Sequence, residues 1–152
     1  MALGDHFSKE EKKSLKLPNG LQIGVVIRKH VNFTTPPKTK RFIIVGFYNN
    51  HYALVLINSE INSLFNYNEI LKSQHIELEC DNREYLIKDS FVDCSSLHHP
   101  FEIKVLEREI DEDPDIVIGT VDKNDLNLII DTLKNSDIIK GKFKKRFGFY
   151  DY

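Results

Sequence analysis

The sequence predicts a mainly β protein, a small closed or half-closed antiparallel barrel with one C-terminal helix over an opening or face. Short apolar segments alternate with turn residues along most of the chain. Two of them, Phe42–Phe47 and Tyr52–Ile57, flank a polar tetrapeptide and are apolar at almost every position. This pattern is typical of a hairpin whose strands are buried on both faces. The strongest helical pattern comes only near the end, over residues 120–134.

Length and composition limit the class of protein. The chain has 152 residues, of which 41% are hydrophobic, enough for one globular domain with a core. A net charge of −2 excludes a protein that is basic over its whole surface. No apolar run reaches the roughly 18 residues of a membrane helix, and the N-terminus lacks a signal-peptide core. We therefore expect a cytoplasmic protein with no membrane contact, in which Cys80 and Cys94 are reduced.

The chain divides into three parts. Residues 1–20 form an N-terminal extension, in which residues 5–16 are predicted to be a short surface helix. Residues 21–139 form the barrel domain. Residues 140–152 are a tail with five Lys or Arg and one Asp, interleaved with aromatic residues. Such a tail suits stacking and phosphate pairing with single-stranded RNA, and packing of its rings on the barrel is the alternative.

The first half of the barrel domain is predicted to be strands and one long loop. Leu21–Ile27 is the first strand, and Gly24 within it indicates a bulge, a bend or a close approach of two backbones. Residues 28–40 are predicted to be a loop with four Lys or Arg, of a length that is often functional. The central hairpin follows directly.

The second half contains further short strands and then the helix. Strands are predicted over residues 75–80, 83–87 and 90–97, and Phe101–Leu106 alternates apolar and polar residues as another strand would. The acidic stretch Glu107–Asp115 is predicted to be a solvated loop. The final helix has Thr120 or Asp122 as its cap. Its apolar face comprises Leu126, Ile129, Ile130 and Leu133.

The hairpin also predicts a phosphate site. In a hairpin, the start of the first strand lies beside the end of the second, so Arg41 lies near Asn58 and Ser59. A guanidinium, an amide and a hydroxyl together suit a phosphate. His30, on the predicted loop, is the best candidate acid or base by side-chain type. The alternatives are that Arg41 is a solvated charge and His30 an ordinary loop histidine.

Four motifs in a fixed order resemble the PemK/MazF family of toxins from bacterial toxin–antitoxin systems. They are Gly24-Val25-Val26, Lys40-Arg41-Phe42-Ile43-Ile44-Val45, Leu56-Ile57-Asn58-Ser59, and Lys88–Cys94 followed by Ile118-Gly119-Thr120-Val121 and a helix. The resemblance covers roughly residues 22–139. Four residues depart from it. Phe42 stands at the family's proline, Asn58 at its threonine, and Asp93 and Ser95 where some members have an arginine and an aspartate.

The resemblance implies an SH3-like barrel, usually a homodimer. It also implies a metal-independent endoribonuclease that cleaves single-stranded RNA through a 2′,3′-cyclic phosphate, and an antitoxin whose disordered tail occupies the RNA groove. No cofactor and no metal are expected. The catalytic set is then Arg41, Ser59, Asn58 and His30. The residues expected to contact RNA are Arg28, Lys29, Lys38, Lys40, Lys144 and Arg146.

Two other functions stay open at this point. A catalytically inactive member of the same fold would bind RNA or a protein partner in a defence or regulatory system, and the missing threonine favours it. A purely structural dimerisation module would leave the basic residues around Arg41 unexplained.

Overall fold

The computed structural model describes residues 16–17, 20–61 and 68–149. The helix predicted over residues 5–16 lies outside this range except for Lys16. That residue pairs with Leu21 in a short ladder between strands β1 (Lys16–Leu17) and β2 (Gly20–Leu21). Most of the predicted N-terminal extension and the last three residues of the tail therefore have no structural account.

Six further strands form one antiparallel sheet, a half-barrel with the order β6-β7-β5-β4-β3-β8. The predicted mainly β, half-closed antiparallel architecture is confirmed at this level. The strands are β3 (Val25–Val31), β4 (Lys38–Tyr48), β5 (His51–Asn58), β6 (His75–Leu78), β7 (Ser90–His98) and β8 (Val117–Thr120).

Four helices are described, and three of them cover the sheet. The helices are α1 (Glu69–Ser73), α2 (Ile103–Glu112), α3 (Lys123–Asn135) and α4 (Gly141–Phe147), with a 3₁₀ turn at Pro114–Ile116. The predicted C-terminal helix is confirmed as α3. The side chain of Asp122 accepts a hydrogen bond from the Asp125 N–H and so caps it.

The β4–β5 hairpin is buried on both faces, as its apolar runs predict. Successive side chains of a strand point to opposite faces. Ile43 and Val45 accordingly join the core on the side of α3 and α4. Phe42 and Ile44 join a second core on the side of α2. The two-residue turn Asn49-Asn50 closes the hairpin, with Asn49 at a φ of +54°.

The first barrel strand is displaced from its predicted position. Gly24 adopts a φ of +98° and donates its N–H to the Ile44 carbonyl at 2.7 Å, so it bends the chain before β3 begins. The predicted loop over residues 28–40 is wrong at both ends, because Arg28 to Val31 pair with Arg41 to Lys38 in a ladder. Backbone pairing with β4 outweighs the polar composition of this segment, which lies at the rim of the sheet.

The segment after β7 also differs from the prediction. Residues 103–112 form helix α2 rather than a strand and an acidic loop. Leu106 and Ile110, four residues apart, are fully buried, whereas Val105 is 41% exposed. The segment is therefore a helix because the helical spacing of its buried residues outweighs the local alternation of apolar and polar residues. Most of its acidic residues lie on the outer face of the helix. Residues 83–87, predicted as a strand, are turns and bends.

Within the described ranges, no helix is both long enough and apolar enough to cross a membrane.

The helical assignment of α2 can be tested with two neighbouring substitutions. Leu106→Ala should reduce the free energy of unfolding by about 2–5 kcal/mol, because it opens a cavity in the core. Val105→Ala is the matched control and should change it by less than about 0.5 kcal/mol, because this side chain is 41% exposed. Urea denaturation of both variants measures the difference. A larger loss for Val105→Ala than for Leu106→Ala would support the strand instead.

Candidate functional site

The start of β4 and the end of β5 open onto a cleft of about 230 Å³. The hairpin register pairs Arg41 with Ile57, so the first polar residues beyond the apolar runs emerge side by side. Three of the four predicted catalytic residues, Arg41, Asn58 and Ser59, line this cleft. Its other polar lining residues are Thr39, Lys40, Lys88 and Ser90. The sequence-predicted neighbourhood of Arg41, Asn58 and Ser59 is therefore present.

Arg41 is half-buried and held in one orientation. Its Nε donates to the Tyr85 carbonyl at 3.1 Å. This leaves the two terminal nitrogens to donate hydrogen bonds to a ligand. Burial and then the charge of Arg28 lower the pKa of Arg41, which stays protonated near neutral pH. Arg28 lies directly opposite Arg41 on β3. Two like charges at this spacing repel each other, and a bound anion would relieve the repulsion.

Lys40 is the second cation of the cleft. Its Nζ donates to the Asn58 Oδ1 at 2.8 Å, which ties the two strand ends together. Burial and then the neighbouring Lys38 lower the pKa of Lys40. An amine whose charged form is disfavoured in this way is better suited to proton transfer than a solvated lysine.

The segment from Cys80 to Asp89 supports Arg41 from behind. The Cys80 N–H donates to the Asp89 carboxylate at 2.9 Å and closes the segment into a loop. Arg83 donates to both oxygens of Asp125 on α3, at 2.8 and 3.0 Å. Tyr85, 3% exposed, is thereby fixed with its carbonyl toward Arg41. Sequence reasoning missed this support because the contact uses a backbone oxygen, which no side-chain pattern encodes.

His30 does not line the cleft. It lies on β3, opposite Thr39 and two residues from Arg28, and its side chain is exposed. Residues two apart on a strand share a face, so His30 and Arg41 lie on the same side of the sheet. Diagonal neighbours of this kind have Cα atoms about 7–8 Å apart. His30 is therefore near the cleft rim and not within it.

The remaining basic residues predicted to contact RNA separate into different environments. Lys29 forms an ion pair with Glu109 on α2, and its Nζ lies 5.1 Å from the centre of the Phe101 ring. Lys144 donates to the Lys134 carbonyl at 2.9 Å and also to the Ser136 carbonyl. It thus stabilises the end of α3.

Three more of these residues are exposed: Arg28, Lys38 and Arg146. Arg28 and Lys38 lie at the rim of the cleft strands, and Arg146 lies on α4 at the other end of the hairpin. Seven of the ten predicted residues thus lie in one cluster around Arg41. The other three, Lys29, Lys144 and Arg146, lie elsewhere.

Comparisons with protein families, curated proteins and solved structures find no match to this chain. The PemK/MazF resemblance therefore rests on its four motifs. In the structure the first spans the bend at Gly24 and the start of β3, and the second lies on β4. The third ends β5, and the fourth spans β7 and β8 before α3.

Tyr85→Phe tests the burial of the Tyr85 side chain in the segment that supports Arg41. The Tyr85 hydroxyl is buried without a hydrogen-bond partner among the described residues, so its removal should leave stability at neutral pH unchanged or raise it. Burial raises the pKa of Tyr85 to about 12. Folding then favours the neutral phenol, and this contribution is complete below about pH 10 and is lost as the pH rises through about 12.

Wild type should accordingly lose about 2–3 kcal/mol more than the phenylalanine variant between about pH 9 and pH 12. Unfolding by urea at a series of pH values measures this difference. A variant that is clearly less stable at neutral pH would show that the hydroxyl is hydrogen-bonded in the fold.

Proposed function

We propose that this chain is an endoribonuclease of the PemK/MazF type with an SH3-like barrel, which cleaves single-stranded RNA without a metal ion. The observation that carries the proposal is the convergence of Lys40, Arg41, Asn58 and Ser59 on one cleft. Two cations, an amide and a hydroxyl match the charge and the hydrogen-bond acceptors of a phosphodiester.

The proposed reaction is an internal transesterification. The ribose 2′-oxygen forms a bond to phosphorus, and the bond from phosphorus to the 5′-oxygen breaks. The products are a 2′,3′-cyclic phosphate and a 5′-hydroxyl. Arg41 binds two non-bridging oxygens through its terminal nitrogens, where negative charge increases in the phosphorane. Ser59 and Asn58 hydrogen-bond the same phosphate and keep it in register.

Two proton transfers complete the reaction. The described cleft lining contains no His, Asp or Glu, so the acid must come from the lysines or from the rim. Protonated Lys40, with its lowered pKa, donates to the leaving 5′-oxygen. His30, which lies on the neighbouring strand on the same face of the sheet as Arg41, accepts the 2′-hydroxyl proton once RNA occupies the rim.

The proposal includes the assembly that the resemblance implies. The protein acts in the cytoplasm as a homodimer, and an antitoxin with a disordered tail occupies the RNA groove. An acidic tail would suit the cations of the cleft and its rim, Lys38, Lys40 and Arg41.

A second candidate function is a catalytically inactive module of the same fold that binds RNA or a protein partner. The Asn58 Oδ1, at the position of the family threonine, already accepts the Lys40 ammonium. The described lining also lacks a side chain that is a strong base near neutral pH. These two features favour binding without cleavage.

Arg41→Ala should reduce cleavage at least about 100-fold, because it removes the group that stabilises the phosphorane. The matched control is Arg108→Ala, which removes an exposed arginine from α2 on the other side of the sheet. The assay incubates each protein with a long mixed-sequence RNA in EDTA and identifies 2′,3′-cyclic phosphate ends. Equal activity of Arg41→Ala and the control would overturn the assignment. Intact RNA with salt-dependent binding by wild type would instead support the inactive module.

Lys40 should determine the basic limb of the pH–rate profile. The acid must be protonated, so above neutral pH the activity should fall as the pH rises through the Lys40 pKa, which burial lowers below that of an ordinary lysine. In Lys40→Arg the fall should move to higher pH, and Lys40→Gln should lose most activity at every pH. Initial rates between about pH 7 and pH 10 test this. An unchanged profile in Lys40→Arg argues against this role.

A further inference from the structure

A second basic and aromatic surface lies at the far end of the β4–β5 hairpin. Tyr48 and Phe47, the last residues of β4, are 44% and 52% exposed. Helix α4 packs beside Tyr48, whose ring lies 6.4 Å from that of Phe147. We name the exposed side chains Tyr48, Lys142, Lys145 and Arg146 the tip surface.

Among the described residues, the cations of the tip surface have no acidic partner. Helix α4 contains no acidic residue, and no carboxylate of the described chain pairs with Lys142, Lys145 or Arg146. The Arg146 guanidinium lies 5.4 Å from the centre of the Tyr48 ring. An arginine beside an exposed ring offers two flat faces for stacking together with positive charge.

The tip surface is held in place by the core. Phe147 and Phe149 are buried, and the chain turns between them at Gly148, with a φ of +85°. A Cβ atom at Gly46 would lie 3.2 Å from the Phe147 carbonyl oxygen, so α4 approaches the β4 backbone closely. Phe147 and Phe149 are two of the tail rings that were expected either to stack on RNA or to pack on the barrel, and they pack. This packing holds helix α4, which carries the surface cations.

We propose that the tip surface binds single-stranded RNA, with bases stacked on Tyr48 and Arg146 and phosphates on Lys142 and Lys145. It is separate from the cleft, because Tyr48 lies seven residues after Arg41 on β4, a rise of about 23 Å. Exposed ring faces next to the cations favour single-stranded RNA over an acidic protein, which has nothing to stack. The proposal concerns binding only and does not require cleavage.

The test measures binding of a fluorescein-labelled 2′-O-methyl RNA of about 12 nucleotides by anisotropy. This RNA has no free 2′-hydroxyl, so the result is independent of any nuclease activity. The tip variant is Lys145→Gln/Arg146→Gln. The matched control is Lys104→Gln/Arg108→Gln, which removes the same charge from exposed positions on α2.

The tip variant should raise Kd at least about tenfold and reduce the slope of log Kd against log salt by about 1.4, since each cation contributes about 0.7 on a single strand. The control should change Kd less than about twofold. The effects of the tip variant and of the control should be the same when Arg41→Ala is also present. This would show that the tip surface binds RNA independently of the cleft. Equal effects of the tip and control variants would overturn the proposal.

Tyr48→Leu separates stacking from charge. It keeps an apolar side chain against Phe147 but removes the flat face, so Kd for the single strand should rise about tenfold with an unchanged unfolding temperature. Poly-glutamate should compete poorly with the RNA. If Tyr48→Leu binds RNA as wild type does, or if poly-glutamate displaces RNA efficiently, the surface binds acidic partners by charge alone and the proposal is wrong.

Discussion

Burial of the β4–β5 hairpin on both faces is the constraint on which the rest of the structure depends. A strand pair with apolar side chains on each face cannot lie on the outside of a domain, since each exposed face would cost the free energy of its apolar area. Each face must therefore pack against other elements. Helix α2 packs on one face, and helices α3 and α4 pack on the other. Most of the chain after β5 consists of these helices and the strands between them.

The candidate site follows from the point at which this burial ends. The hairpin register brings the first polar residues of both strands to one rim, where Arg41 and Asn58 are partly covered and not fully solvated. Partial burial makes their charge and hydrogen-bonding groups more effective on a ligand than they would be in water. The hydrogen bond to the Tyr85 carbonyl already restricts rotation of the Arg41 side chain in the free protein. Less side-chain entropy is therefore lost when Arg41 binds a ligand.

The sequence was sufficient for the features that local pattern encodes. The hairpin, helix α3 with Asp122 as one of two candidate caps, and the neighbourhood of Arg41 and Asn58 could be predicted, since each depends on residues close in sequence or on hairpin geometry. Helix α2 could not, because Phe101–Leu106 alternates apolar and polar residues as a strand would, and only the tertiary burial of Leu106 decides for the helix. The β3 ladder could not either, since its polar residues become strand only through pairing with β4.

Counting charges in the sequence also overestimated the number of cations available to a ligand. Lys29 and Lys144 are used to hold α2 and the end of α3, so neither is a free phosphate contact. The cations that remain lie at the two ends of one rigid hairpin, around Arg41 and around Arg146. If both proposed sites bind RNA, an RNA long enough to reach both binds the second site at a high effective concentration, because the hairpin fixes their separation. The two surfaces would then act as one stronger and oriented site, without any new contact between them.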